Sequence, residues 1–118
     1  MYTTEEFYTG TSFTLFVVVE DGECALKTFL DGLPDEERKK CFHKITVLSN
    51  QLFIHNQQVY RKETENIYAL KTHDSRICCF GVGQGKKILT HGFKKEGKRK
   101  EERREYEKAE TIRTELGF

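Results

Sequence analysis

Long hydrophobic runs are missing from this sequence of 118 residues. The longest apolar run, Leu15 to Val19, has five residues, whereas a helix that spans a membrane needs about 20. The first ten residues, MYTTEEFYTG, contain acidic side chains and neither the basic nor the apolar segment of a secretory signal peptide. We therefore expect a cytoplasmic protein that makes no contact with a membrane.

Cysteine motifs and prolines are also scarce. The four cysteines form no C-x-x-C pair, and the adjacent Cys78 and Cys79 would point to opposite faces of a strand. We expect reduced, mostly buried thiols, with no metal site and no cofactor; a zinc site or a disulfide framework is the alternative. Pro34 is the only proline, so no linker divides the chain. We predict a polar, poorly ordered extension over residues 1–12 and a single domain over residues 13–118.

Charge is distributed unevenly along the chain, although the net charge is only +1. Residues 1–58 hold 5 basic and 9 acidic side chains, whereas residues 59–118 hold 15 and 10. Between Lys86 and Arg104 there are nine basic residues and three glutamates. Such a basic stripe can attract a polyanion, although many charge runs are only solvated helix faces.

The pattern of apolar residues predicts an α+β fold. SFTLFVVVE is typical of a central strand, and two apolar stripes predict a helical hairpin. Its first helix carries Leu26, Phe29, Leu30 and Leu33, and its second helix carries Cys41, Ile45, Leu48 and Leu52. Three short strand-like runs follow, NIYALKTH, RICCFGV and KKILTHGF, and their short connections predict an antiparallel meander in the same sheet. KEERREYEKAETIRTEL predicts a C-terminal amphipathic helix.

Four phrases in this order resemble the RelE/ParE toxin superfamily, and most of all its HigB-like branch, which includes many phage-derived proteins. The phrases are LKTFLDGLPDEERKK, NIYALK, RICCFGV and KKILTHGFKK. The resemblance covers roughly residues 13 to 112 and implies a RelE-like fold.

The resemblance also implies a function, namely that of a type II toxin that cleaves mRNA in the ribosomal A site. In this metal-independent reaction, the 2′-hydroxyl of the RNA attacks the adjacent phosphate. The implied partners are mRNA, the 70S ribosome and a cognate antitoxin, HigA-like and with a helix-turn-helix.

Matching the family phrases to this chain gives a set of candidate site residues. His91 can transfer protons near neutral pH, although a strand-end histidine bonded to a carbonyl is an equally ordinary structure. Arg76 can bind a phosphate with two hydrogen bonds, or it can form a surface ion pair with Asp74. The predicted catalytic residues are His91, Arg76, Lys94 and Lys95. The predicted RNA-binding residues are Arg61, Lys62, Tyr68, Lys71, Phe93, Lys98 and Arg99; for Tyr68 and Phe93 a place in the core is the alternative.

Two other functions remain open at this stage. A ParE-like protein would use the same scaffold to inhibit DNA gyrase through its helical hairpin, and His91 and Arg76 on opposite sheet faces would favour that function. A phage-derived module could instead bind nucleic acid or a host protein without catalysis.

Overall fold

Six strands form one mixed sheet, with a helical hairpin on one face and a single helix on the other. The computed structural model describes all 118 residues. The elements are β1 (Tyr2–Thr9), β2 (Thr14–Glu20), α1 (Ala25–Asp31), α2 (Asp35–Asn50), β3 (Tyr60–Lys62), β4 (Tyr68–Lys71), β5 (Ser75–Gly83), β6 (Lys86–Lys94) and α3 (Arg99–Glu115). The strand order is β1-β2-β6-β5-β4-β3, and only the β2–β6 pair is parallel. The predicted α+β fold with a RelE-like arrangement is confirmed.

The hairpin-side core fills the space between the sheet and the helices α1 and α2. Its largest fully buried side chains include Leu26 and Leu30 of α1 and Ile45 and Leu48 of α2. The remaining members are Leu15, Val17, Leu33, Cys41, Leu70, Ile77, Cys79 and Leu89. Leu52 was expected in the stripe of α2, but that helix ends at Asn50 and Leu52 is 66% exposed.

The α3-side core lies on the opposite face of the sheet. The helix α3 contributes Tyr106, Ala109 and Ile112, which pack against buried strand residues. These strand residues are Val18, Ile67, Ala69, Cys78, Phe80 and Ile88. Three of the four cysteines are buried, as predicted, and neighbouring Cys78 and Cys79 lie in different cores. None of the three helices has the length and apolar character needed to cross a membrane.

The N-terminal segment is a strand, so the expectation of a poorly ordered extension was wrong. Residues 2–9 pair with β2 along its whole length and form one edge of the sheet. Six of the eight side chains of β1 are exposed, and Phe7 packs against the hairpin-side core. Backbone pairing with β2 therefore orders a segment whose side chains give almost no hydrophobic signal.

A β-bulge in β6 decides which face His91 occupies. Ile77 pairs with Gly92 and Cys79 pairs with Leu89, so both Thr90 and His91 lie opposite the single residue Cys78. An extra residue of this kind interrupts the regular alternation of side chains. Leu89 belongs to the hairpin-side core, whereas His91 points to α3, where its Nε2 lies 3.7 Å from Glu105 Oε1.

Candidate nucleic-acid interface

A basic cleft opens between the sheet and the first turns of α3. It has a volume of about 700 Å³. Six cationic side chains line it, namely Arg61, Lys71, Arg76, Lys95, Arg99 and Arg103, together with Tyr106, Thr64 and the carboxylates Glu63, Glu102 and Glu107. Six cations and three carboxylates give the lining a net formal charge of +3. A concave surface with this charge concentrates anions such as the phosphates of a nucleic acid.

Arg76 is the cation that the fold holds most firmly in this cleft. It is only 7% exposed, and its Nη1 donates hydrogen bonds to the carbonyl oxygens of Thr72 (2.6 Å) and Ser75 (2.9 Å). The expected alternative, an ion pair with Asp74, does not form, and no ion pair in the structure includes Arg76. A guanidinium that is oriented by backbone carbonyls and has no carboxylate partner can donate hydrogen bonds to a phosphate in the cleft.

The turn that precedes Arg76 is anchored by a buried carboxylate from α2. Glu37 Oε2 accepts hydrogen bonds of 2.6 Å from both Ser75 Oγ and Thr72 Oγ1. Burial opposes ionisation of Glu37, but these hydrogen bonds outweigh it, so that the pKa of Glu37 is lowered. Thr72 Oγ1 also accepts a hydrogen bond from the Ser75 amide. This network fixes the β4–β5 turn, and with it the two carbonyls that hold Arg76.

Lys71 lies on β4 directly opposite Arg76 in the strand register. Its ammonium is 3.3 Å from Glu63 Oε1, and both side chains are largely buried. Arg61 Nε lies 4.0 Å from the same carboxylate oxygen, and the Arg61 side chain is 56% exposed. Glu63 therefore holds two of the cleft cations side by side, and a phosphate that bound them would have to compete with this carboxylate.

His91 does not line the cleft. It is 4% exposed, its Nδ1 lies 3.0 Å from Thr90 Oγ1, and its Nε2 has no hydrogen-bond partner. Burial, with a smaller contribution from the nearby Lys108 ammonium, lowers the pKa of His91 to about 4. With α3 in this position the imidazole is neutral at pH 7 and shielded from solvent, so its predicted proton-transfer role stays a prediction that requires movement of α3.

We expect the buried His91 to make the folding stability depend on pH between about 4 and 6.5. The unfolded chain binds a proton at this histidine near pH 6.5, whereas the folded chain does so only near pH 4. The free energy of unfolding therefore contains the full contribution of the neutral His91 above pH 6.5. It decreases by up to about 3 kcal/mol as the pH drops towards 4. Urea unfolding of the wild type and of His91→Gln at pH 7 and pH 4.5 measures this slope.

The control for this prediction is His43→Gln, because His43 is exposed on α2. It should keep the pH dependence of the wild type, whereas His91→Gln should lose the part that falls between pH 6.5 and 4. Parallel pH profiles for the wild type and His91→Gln would contradict the assignment of this slope to His91.

Six of the eleven cleft residues were not among the predicted site residues, and two of these six, Arg103 and Tyr106, can donate hydrogen bonds to a ligand. Arg103 belongs to the basic stripe, and its position in α3 turns it towards the cleft. Tyr106 lies in the predicted amphipathic helix, and it both packs in the α3-side core and lines the cleft. Burial is the largest cause that raises the pKa of Tyr106; the carboxylates of Glu63 and Glu102 raise it further, and Arg76 opposes this change. Its hydroxyl is therefore protonated at neutral pH and can donate a hydrogen bond.

The predicted site residues divide between this cleft and other surfaces. Arg61, Lys71, Arg76, Lys95 and Arg99 line the cleft together. Phe93 packs edge-on against Tyr106, with ring centroids 5.6 Å apart, beside the α3-side core. Lys94 and Lys98 lie outside the cleft and line a smaller depression beside Glu96 and Glu101. Lys62 and Tyr68 line a separate pocket near the end of α2, where Tyr68 stacks on Tyr60.

Comparison with known proteins identifies the family to which the chain belongs. The chain matches the family of phage-derived Gp49-like proteins (DUF891) over residues 28–114 and belongs to that family. The matched segment contains the second half of α1, all of α2, the strands β3 to β6 and nearly all of α3. This family belongs to the RelE-like group of type II toxin–antitoxin toxins. No curated protein matches the chain.

Proposed function

We propose that this protein is a HigB-like toxin that cleaves mRNA in the ribosomal A site. The observation that carries the proposal is the position of Arg76 in a cleft of net positive charge, where it has no carboxylate partner. Arg76 and His91 both lie on the α3 face of the sheet, whereas a gyrase inhibitor acting through the helical hairpin would not need them there. The Gp49-like family membership supports a toxin.

The proposed reaction needs little besides positive charge and proton transfer. The 2′-oxygen of the RNA forms a bond to the adjacent phosphorus, and the bond from phosphorus to the 5′-oxygen breaks. The products are a 2′,3′-cyclic phosphate and a 5′-hydroxyl. Arg76, Lys71 and Lys95 would stabilise the charge that develops on the phosphoryl oxygens, because cations fixed beside a reacting phosphate stabilise its transition state.

Two protons must move in this reaction, and we propose one group for each. Tyr106 keeps its proton at neutral pH and lines the cleft beside Arg76, so we propose that it donates to the departing 5′-oxygen. We keep His91 as the group that takes the 2′-proton. This assignment requires α3, which now covers the imidazole, to shift far enough to uncover His91 while Tyr106 stays at the cleft.

A cognate antitoxin of the HigA type would inhibit the toxin by covering the same surfaces. Four of the nine charged cleft side chains belong to α3, namely Arg99, Glu102, Arg103 and Glu107. An acidic antitoxin segment that bound the cleft would neutralise its charge, and one that held α3 against the sheet would keep His91 buried. Either contact would stop cleavage without any change in the rest of the fold.

A single missing oxygen in the substrate tests the proposed chemistry. We expect mRNA on 70S ribosomes to resist cleavage when the nucleotide before the scissile phosphate carries 2′-hydrogen in place of the 2′-hydroxyl. The matched control places the same 2′-deoxy nucleotide outside the A-site codon and should be cut at the normal rate. Equal cleavage of both messages would contradict attack by the 2′-hydroxyl.

A further inference from the structure

A second pocket lies on the face of the sheet opposite the basic cleft, and we name it the aromatic pocket. It lies beyond the end of α2 and has a volume of about 500 Å³, within the range of about 300 to 1,000 Å³ that small-molecule sites occupy. Twelve residues line it, and none of them is acidic. The residues that the argument uses are Phe53, Tyr60, Arg61, Lys62, Tyr68 and Lys87.

Lys87 is the side chain that distinguishes this pocket from an ordinary surface depression. Its ammonium lies 4.3 Å from the ring centroid of Phe13 and 4.7 Å from that of Tyr60, and it donates a 3.4 Å hydrogen bond to the Tyr60 hydroxyl. No carboxylate lies within ion-pair distance of Lys87. Burial lowers the pKa of Lys87, as expected for an ammonium that lacks a counterion. An anion in the pocket would supply that counterion.

Aromatic rings and two further cations line the pocket together with Lys87. Tyr60 and Tyr68 stack with centroids 4.8 Å apart and planes inclined by 13°, and Phe53 stacks on His55 at 6.2 Å. Phe53 is 75% exposed and its neighbour Leu52 is 66% exposed, so apolar surface is open to solvent at this pocket. The aromatic rings beside Arg61 and Lys62 offer stacking surfaces, and the two cations offer phosphate partners, in the same pocket.

We propose that the aromatic pocket binds a nucleotide, with its base against the aromatic rings and its phosphate against Lys87, Lys62 and Arg61. The absence of acidic lining residues favours an anion, and the stacked rings favour a planar aromatic group joined to it. A free mononucleotide and a nucleotide of single-stranded RNA share this chemistry. Arg61 lines both the aromatic pocket and the basic cleft, so an RNA strand could pass from one to the other over the edge strand β3.

Calorimetric titration with adenosine 5′-monophosphate tests the proposal on the full chain, without ribosomes. We expect the wild type to bind this nucleotide, and the Lys87→Met variant to bind it about tenfold more weakly, because a charged hydrogen bond is lost. Lys86→Met is the matched control, since Lys86 is the exposed neighbour of Lys87 in β6 and lies over Phe16 instead. It should bind as the wild type does.

Lys62→Ala is the second variant, because Lys62 is exposed and its loss cannot disturb a core. It should also weaken binding of the nucleotide. A folded wild type that binds no adenosine monophosphate would overturn the proposal. Equal weakening in Lys86→Met and Lys87→Met would also overturn it. These outcomes are independent of mRNA cleavage, so the proposal can fail or stand separately from the proposed function.

Two further titrations identify the source of the nucleotide. In the first, a hexanucleotide of oligo(A) RNA is compared with the monophosphate. If the hexanucleotide binds at least about tenfold more tightly, and if Lys87→Met removes this difference, the pocket binds an RNA strand. Similar affinities for the two ligands point to a free mononucleotide. Adenosine without phosphate should bind the wild type more weakly than the monophosphate, and equal binding would overturn the role of the cations.

Discussion

Replacing Arg76 with methionine is expected to lower the rate of mRNA cleavage on the ribosome by about 100- to 1,000-fold, as loss of a fixed transition-state donor does in other enzymes. Methionine keeps the unbranched stem of the side chain but removes the guanidinium that Thr72 and Ser75 orient. The reacting phosphate would lose the one cleft cation that is both buried and free of a carboxylate. Single-turnover cleavage of a ribosome-bound message measures the effect.

Lys94→Met is the matched control for Arg76→Met. Lys94 is a cation at the end of β6 that faces away from the cleft and is exposed. Its replacement should change the single-turnover rate by less than about threefold, since distant exposed charges act through a screened potential. If both variants lowered the cleavage rate by the same factor, cleavage would depend on basic charge in general and not on the oriented Arg76.

Replacing Glu37 with alanine is expected to lower the free energy of unfolding by about 3 kcal/mol. Two charged hydrogen bonds disappear, and the buried Ser75 hydroxyl loses its acceptor. For a domain of this size that loss corresponds to a decrease in Tm of roughly 10 °C. Thermal unfolding at pH 7 checks the value, and residual cleavage activity below the transition reports whether the turn still positions Arg76.

Glu36→Ala provides the comparison for this change. Glu36 precedes Glu37 in the first turn of α2 but is exposed, and its removal should cost no more than about 0.5 kcal/mol. A decrease in Tm as large as that of Glu37→Ala would mean that the effect comes from the charge at the helix N-terminus. A small decrease for Glu37→Ala would mean that the β4–β5 turn does not depend on its carboxylate anchor.

The sequence was sufficient for most of the fold because the relevant signals are local. Apolar residues at helical spacing marked the hairpin, and the glycines around Gln84 marked the turn between β5 and β6. That turn needs left-handed backbone at Gly83, Gln84 and Gly85, where φ is +86°, +55° and +72°. The strand β1 was missed because its pairing is made by the backbone and only Phe7 and Tyr2 are even partly buried.

The candidate site was harder to predict because neighbouring residues on a strand face opposite ways. Arg61 and Lys62 were proposed as a pair, but only Arg61 reaches the basic cleft, while both line the aromatic pocket. The bulge at Thr90 and His91 is not visible in the sequence, and it decides that His91 lies under α3. The role of Tyr106 in the cleft also depends on where α3 crosses the sheet, which its amphipathic pattern does not specify.

Primer extension on a defined mRNA, free or threaded through 70S ribosomes, tests the central claim most directly. If the protein cleaves mRNA in the ribosomal A site, the wild type creates new 5′ ends at the A-site codon of ribosome-bound mRNA. It leaves the free message largely intact. A folded wild-type protein that creates no new ends in either sample would contradict it. DNA supercoiling by gyrase, measured with the same preparation, would then show whether the protein is instead an inhibitor of the ParE kind.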